Sequence, residues 1–280
     1  MVSLRTKMLK FALKIMEPFQ DEILKHRIIR SILRRFYTIS SPESWILAEL
    51  EGIKIYINTI DVGLLRSFII RKRYEEGTTK VFKRVLRKGM TVFDIGACTG
   101  YYSLIASKIV GEKGKIFAFE PHPINYKWLK RSIEINNFTN IIPLNKAVSD
   151  KSGSTIRLFY SIDNISDHSI VLTENRDCIE VETITLDKFC QENQILPDVV
   201  KMDVEGAEIL VLKGMEKILE KCKNLILFIE FEYNQEDIVR FLKEKGFDFY
   251  YITKNGELTA EVEEVEEVER NIFCTRGNIL

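Results

Sequence analysis

From Thr91 onward the chain alternates short apolar runs with stretches of helical spacing. The runs are TVFDI, KIFAFE, IIPLNKAV, DVVKMDV and LILFIEFEY, separated by amphipathic segments near 101–110, 123–136, 206–219 and 235–245. Apolar runs of strand length with helices between them predict a mostly parallel sheet covered on both faces. Two later runs, GFDFYYIT and NIFCTRG, predict a terminal antiparallel hairpin, which completes a seven-stranded α/β sheet. After the third run, residues 151–184 are polar but strand-like (TIRLFY, IEVETIT), so an insertion is expected there, a candidate lid.

The pattern upstream differs. Residues 1–35 hold nine Lys or Arg against three acids, with Leu, Ile, Phe and Met at helical intervals, as in a basic amphipathic helical region. Packing on the rest of the chain or on a second copy is one reading of it, and an in-plane membrane anchor is the other. GIKIYIN (52–58) alternates like a strand, and Thr78, Val81, Phe82 and Leu86 mark a helix. These breaks divide the chain into an N-terminal helical and strand extension, residues 1–75, and an α/β domain, residues 76–280, with the insertion near 151–184. The segment ELTAEVEEVEEVER carries seven glutamates and reads as a solvated connector.

Composition narrows the function classes. Lys plus Arg equals Asp plus Glu at 41 each, which removes a whole-chain charge argument for nucleic acid. Five scattered cysteines with no CxxC pair indicate neither a disulfide framework nor a zinc site. No apolar run is long enough to span a bilayer. A cytoplasmic protein with a small partner is the expectation.

Three segments carry candidate chemistry. In VFDIGACTGYYS (92–103) an apolar strand ends in Asp94, and Gly96 and Gly100 open a helix. Such a turn lets backbone approach a ligand, and amides at the helix start favour its carboxylate while Asp94 takes a cationic amine. In KIFAFEPHP, Glu120 ends the next strand, where an acid can accept from both ribose hydroxyls. NAD would suit the same acid, but DIGACTG lacks the third glycine of a GxGxxG turn. In VVKMDVEGAE (199–208), Asp203 and Glu205 stand at a third strand end, with capping of the following helix as the structural alternative for Glu205.

In order and spacing, YEEGTTKVF, GMTVFDIGACTGYYSLIASKIVGEKGKIFAFEPHPINY, NKAVSD, ITLDKF, VKMDVEGAEILVLKGM and LFIEFEY resemble the FkbM family of methyltransferases. The resemblance implies a Rossmann-like class I methyltransferase fold and an S-adenosylmethionine-dependent O-methyltransferase acting on a sugar, glycan precursor or other small metabolite. It implies that Asp94, Gly96, Ala97, Gly100, Tyr101, Glu120, Pro121 and Asn125 bind the cofactor, with Ala147 beside the adenine. Cys98 stands in that turn where the family usually has Asn, so a side-chain amide contact is lost and weaker binding is expected. Asp203 and Glu205 are implied near the reacting methyl.

Methyl transfer needs positioning and removal of a hydroxyl proton, and the candidate bases are Asp203 and His168. Asp203, Glu205, Glu230 and Glu232 are hard oxygen donors, but strand ends rich in acid are common and no metal is called for. Two rival classes stay open: an NAD-dependent oxidoreductase, and a non-catalytic cofactor-binding module recruited by its basic N-terminal helix. A homo-oligomer is compatible with either packing of that helix.

Overall fold

The structure, a computed structural model, describes residues 45–59, 61–160, 168–171, 177–231, 235–260 and 267–277. The basic segment 1–35, Glu232, the His168 side chain and residues 261–266 of the glutamate-rich connector lie outside them. The described residues fall into two compact units, one closing at Tyr74 and the other opening at Glu75.

In the first unit, β1 (Trp45–Leu50) and β2 (Ile53–Asn58) pair antiparallel. Glu51 and Gly52 between them both have positive φ, 54° and 69°, the combination of a tight hairpin turn whose twist matches its strands. Ile53, Ile55 and Ile57 are fully buried while Lys54 is exposed, so the alternation seen in the sequence is that of a strand covered on one face. The hairpin leads into α1 (Val62–Leu65) and a π-helical turn, Arg66–Arg71.

The second unit opens with α2 (Glu76–Val85), then β3 (Thr91–Ile95), α3 (Tyr101–Val110), β4 (Lys115–Phe119), α4 (Pro123–Ile135) and β5 (Ile141–Leu144). Next come β6 (Ala147–Val148), β7 (Thr155–Tyr160), β8 (His168–Ser169), β9 (Asp177–Ile184), α5 (Leu186–Asn193) and β10 (Val199–Met202). The chain continues through α6 (Glu208–Lys213), α7 (Glu216–Lys221), β11 (Ile226–Glu230), α8 (Gln235–Glu244), β12 (Asp248–Thr253), β13 (Leu258–Thr259) and β14 (Val268–Thr275).

The large sheet runs β13-β12-β14-β11-β10-β3-β4-β5. Its strands from β11 to β5 are mutually parallel, and β14 inserts antiparallel between β11 and β12. This is the Rossmann-like sheet with its terminal antiparallel hairpin, plus β13 as a two-residue eighth strand at the edge. One face holds Phe93, Ile95, Val200, Met202, Leu227 and Ile229 against apolar residues of α5 to α8. There the Phe189 ring meets those of Phe93, Phe117 and Phe119 edge-on, with centroids 5.1 to 5.7 Å apart. On the other face Phe228 packs edge-on against Phe82 of α2 and Phe273 of β14.

Two sequence expectations are corrected. IIPLNKAV is not one strand: β5 ends at Leu144, and β6 leaves to pair with β9 in a separate sheet of order β6-β9-β7-β8. The break falls at Asn145, whose side-chain amide donates to the carbonyls of Glu120 and Pro121 at 2.8 Å each and turns the chain out of the main sheet. ITLDKF, read without a helix, starts α5, with the Thr185 hydroxyl accepting from the Lys188 amide as N-cap. The insertion is thus a small sheet with a core of its own, Ala147, Leu158 and Val181.

Candidate active site

The carboxyl edge of the parallel strands gathers the sequence candidates in two groups. The first surrounds the turn after β3. Gly96 has φ +81°, and a Cβ there would stand 1.9 Å from the Asp203 carbonyl oxygen. Gly100 has φ +99°, and its Cβ would strike Leu129 at 2.6 Å. Close packing of the turn on β10 and α4 therefore demands both glycines before any ligand does. Four amides inside the turn, upstream of the helix start at Tyr101, are already taken. Those of Gly96 and Ala97 donate to the Phe119 carbonyl, that of Gly100 to Ala97, and that of Cys98 to Glu120.

Glu120 leaves the end of β4 almost fully buried. One carboxylate oxygen accepts from the Cys98 amide and the other from the His122 amide, each at 2.8 Å. Burial pushes its carboxyl up to about 8, against the lowering effect of those two amides. A carboxylate has about four lone-pair sites, so after two amides each oxygen keeps one acceptor site. That pre-set, doubly anchored acid fits a vicinal diol, the donor pair a ribose presents. Asp94, buried at the end of β3, accepts from the Ser103 hydroxyl at 2.6 Å, and burial pushes its carboxyl up to about 6. A bound ammonium would offset that burial.

The remaining cofactor candidates divide. Asn125 is buried at the start of α4 with its amide nitrogen 3.8 Å from Cys98 Sγ, inside the same turn. Cys98 itself has φ 50°, a left-handed conformation. Pro121 is half-buried beside Glu120, and its carbonyl is held by Asn145. Tyr101 sends its hydroxyl to Thr79 of α2 at 3.2 Å, and Ala147 packs in the core of the insertion sheet. The ring of His122, a residue the sequence places only at the border of the site, lies 5.2 Å from that of Tyr160.

The second group follows from sheet register. Lys201 in β10 is level with Asp94 of β3 and Phe228 of β11, while Glu230 is level with Asn271 of β14. Register partners share a face, so Asp94, Lys201, Glu230 and Asn271 project to the same side. The Lys201 side chain is fully buried, its ammonium 3.3 Å from Asp203 and 5.2 Å from the centre of the Tyr102 ring. A carboxylate oxygen of Asp203 and one of Glu230 lie within 4.8 Å of each other. Glu75, just before α2, accepts from the Tyr102 hydroxyl at 2.5 Å and from the Asn271 side-chain amide at 3.0 Å.

Charge in this group is matched by charge. Burial pushes Asp203 up, but Lys201, with help from Glu230 and Arg270, leaves its carboxyl below the usual range. Glu230 is raised by burial and then by the negative charge of Asp203, and Glu75 is raised by burial. Burial alone would lower Lys201, yet the surrounding acids, Asp203 first, hold it above the ordinary lysine value. The carboxylates of Asp203, Glu205 and Glu230 converge within 4.8 Å of one another, and the Lys201 ammonium already brings a cation to them.

Glu205 is not the cap of the following helix. It occupies a left-handed turn with φ 51°, its carbonyl accepting from the Ser169 hydroxyl at 2.6 Å. The amides of Val204 and Gly206 are taken by Glu208, and the helix starts only there. The backbone of His168 pairs with Tyr160 in the insertion sheet. Lys201, Glu75, Tyr102 and Asn271 were missed as site residues. Lys201 carried a signal, a lysine inside the apolar run VVKM of a strand buried on both faces.

A family model described as the methyltransferase FkbM domain matches residues 94–249, more than half of the chain. The hexuronic acid methyltransferase AglP of Haloferax volcanii is 27% identical over 173 residues, covering 61% of this chain and 69% of that protein. The methyltransferase sdnD of Sordaria araneosa is 28% identical, with 56% and 73% covered. Among solved structures, methyltransferase FkbM from Methylobacillus flagellatus aligns at 16% identity and a TM-score of 0.44 over 66% of this chain. The alignment spans only 43% of that solved chain.

Proposed function

This chain belongs to the FkbM methyltransferase family, and from that premise we propose that the acceptor it methylates is a hydroxyl of a sugar, glycan precursor or other small metabolite. Its cofactor is S-adenosylmethionine, which supplies an electrophilic methyl group when bound. In this reading Glu120 holds the ribose hydroxyls, Asp94 the amino group, and Asn125 and Cys98 line the same turn. The hydride-transfer alternative falls with family membership.

The observation that carries the reading is the closeness of Gly96 to the Asp203 carbonyl, which would leave a Cβ no room. It brings the Asp203 backbone against the turn, and the Lys201 ammonium 3.3 Å from the Asp203 side chain supports an ionised carboxylate as base for the hydroxyl. Asp203 takes the hydroxyl proton as the oxygen's electron pair forms the new O–C bond and the C–S pair leaves with sulfur. An acid acceptor, already ionised, would need no base and would be repelled by Asp203 and Glu205. We place the reaction in the cytoplasm, with the basic residues 1–35 as a candidate contact to membrane or to a second copy.

The test is methyl-labelled S-adenosylmethionine with a panel of neutral sugars, uronic acids and glycan precursors. An alkali-stable methyl ether supports the reading. An alkali-labile methyl ester or an N-methyl product would overturn it.

A further inference from the structure

Two carboxyl groups sharing one site repel each other when both are ionised, so one of the pair keeps a proton that both can share. A carboxylate oxygen of Asp203 and one of Glu230 lie within 4.8 Å of each other, and a fully buried ammonium stands 3.3 Å from Asp203. The second oxygen of Glu230 is buried without a hydrogen-bond partner among the described residues. A negative charge on that oxygen would be uncompensated, so the shared proton belongs to Glu230 and the charge to Asp203.

We propose that Lys201 is a positioning residue: as the built-in counter-ion of the Asp203–Glu230 pair, it fixes that pair at one shared proton and keeps Asp203 open to accept another. The geometry leaves it little freedom. Its stem crosses the sheet face level with Phe228, the Tyr102 ring flanks the ammonium, and the Met202 carbonyl lies 3.5 Å away. Other groups bear on the same pair: Asp94 from β3, Glu75 before α2, Tyr102 from α3, Glu205 from the turn after β10 and Arg270 from β14. Acids outnumber cations among them. Without Lys201, like-charge repulsion and burial would both drive a second proton onto the pair, and Asp203 would be closed as a base.

The consequence for turnover rests on the function proposed above, but the ionisation does not, so the test needs no acceptor. The full ligand-free chain, labelled with carboxyl-13C aspartate and assigned with Asp203→Asn, is titrated by NMR as wild type, Lys201→Met and Lys201→Arg. The Asp203 midpoint is expected to rise by at least about one pH unit in Lys201→Met, a tenfold loss of the ionised form below the midpoint, and to return in Lys201→Arg. Glu230→Gln, which swaps a neutral donor for a neutral donor, is expected to fold normally and leave Asp203 ionised. A Lys201→Met protein that folds with its Asp203 midpoint unmoved, or that unfolds equally at every pH, would overturn the proposal. An acceptor of another class would leave these titrations unchanged, whereas an unmoved midpoint would leave methyl transfer itself standing.

Discussion

Two groups of buried or half-buried acids gather at one side of the sheet and are stabilised in opposite ways. Around the turn after β3, Asp94 and Glu120 are held by neutral donors, a serine hydroxyl and two backbone amides. Across β10, β11 and β14, Asp203, Glu230 and Glu75 are held around a lysine. Neutral donors leave an acid poised, its carboxyl raised by burial and ready for a ligand's positive or hydroxylic groups. A counter-ion fixes the protonation state before any ligand arrives. The first group is suited to binding and the second to proton transfer.

If that division holds, variants should separate affinity from turnover. The largest effect is expected from Asp203→Asn: loss of a general base lowers turnover by about 10²- to 10⁴-fold, while calorimetric affinity for S-adenosylmethionine is retained. Full turnover would remove Asp203 as base, and lost affinity would break the division. Gly96→Ala should come next. Its penalty in chemical denaturation should exceed the roughly 1–3 kcal/mol of a left-handed residue alone, because its Cβ also meets the Asp203 carbonyl.

Glu120→Gln should weaken S-adenosylmethionine by about 10- to 100-fold, the worth of one charge-assisted hydrogen bond of roughly 1.5–3 kcal/mol. The same variant tests the poised acid by pH. A carboxyl raised from 4.5 to about 8 stabilises the ligand-free fold fully below pH 4.5, and that contribution is lost as pH rises to 8. Ligand binding runs the other way: wild-type affinity should grow by up to about tenfold per pH unit on approaching 8, and Glu120→Gln should flatten both trends. The smallest effect is expected from Cys98→Asn. Asparagine tolerates the left-handed region better than other side chains, so thermal unfolding should report a gain below about 1 kcal/mol, with affinity rising rather than falling.

The two groups also differ in how far they could be read from the chain. The parallel strands and most helices were legible because apolar runs and helical spacing fix them locally, and Asp94, Gly96 and Glu120 lie in two short segments. β1 and the two-residue β8 and β13 were not legible, β13 falling in the stretch expected to be a solvated connector. The lysine-centred group joins residues as distant as Glu75 and Asn271, whose contact depends on β14 inserting beside β11. No local pattern states that register. Glu205 was open between two roles because caps are set by where the helix begins, and the left-handed turn delays that start to Glu208. IIPLNKAV misled because a side-chain bond from Asn145, invisible to periodicity, breaks the strand.

Calorimetric titration of the full chain with S-adenosylmethionine and, separately, with NAD bears most directly on the binding group. One site for S-adenosylmethionine, weakened by Glu120→Gln, and no heat from NAD is the predicted result. Saturable NAD binding with none of S-adenosylmethionine would contradict it.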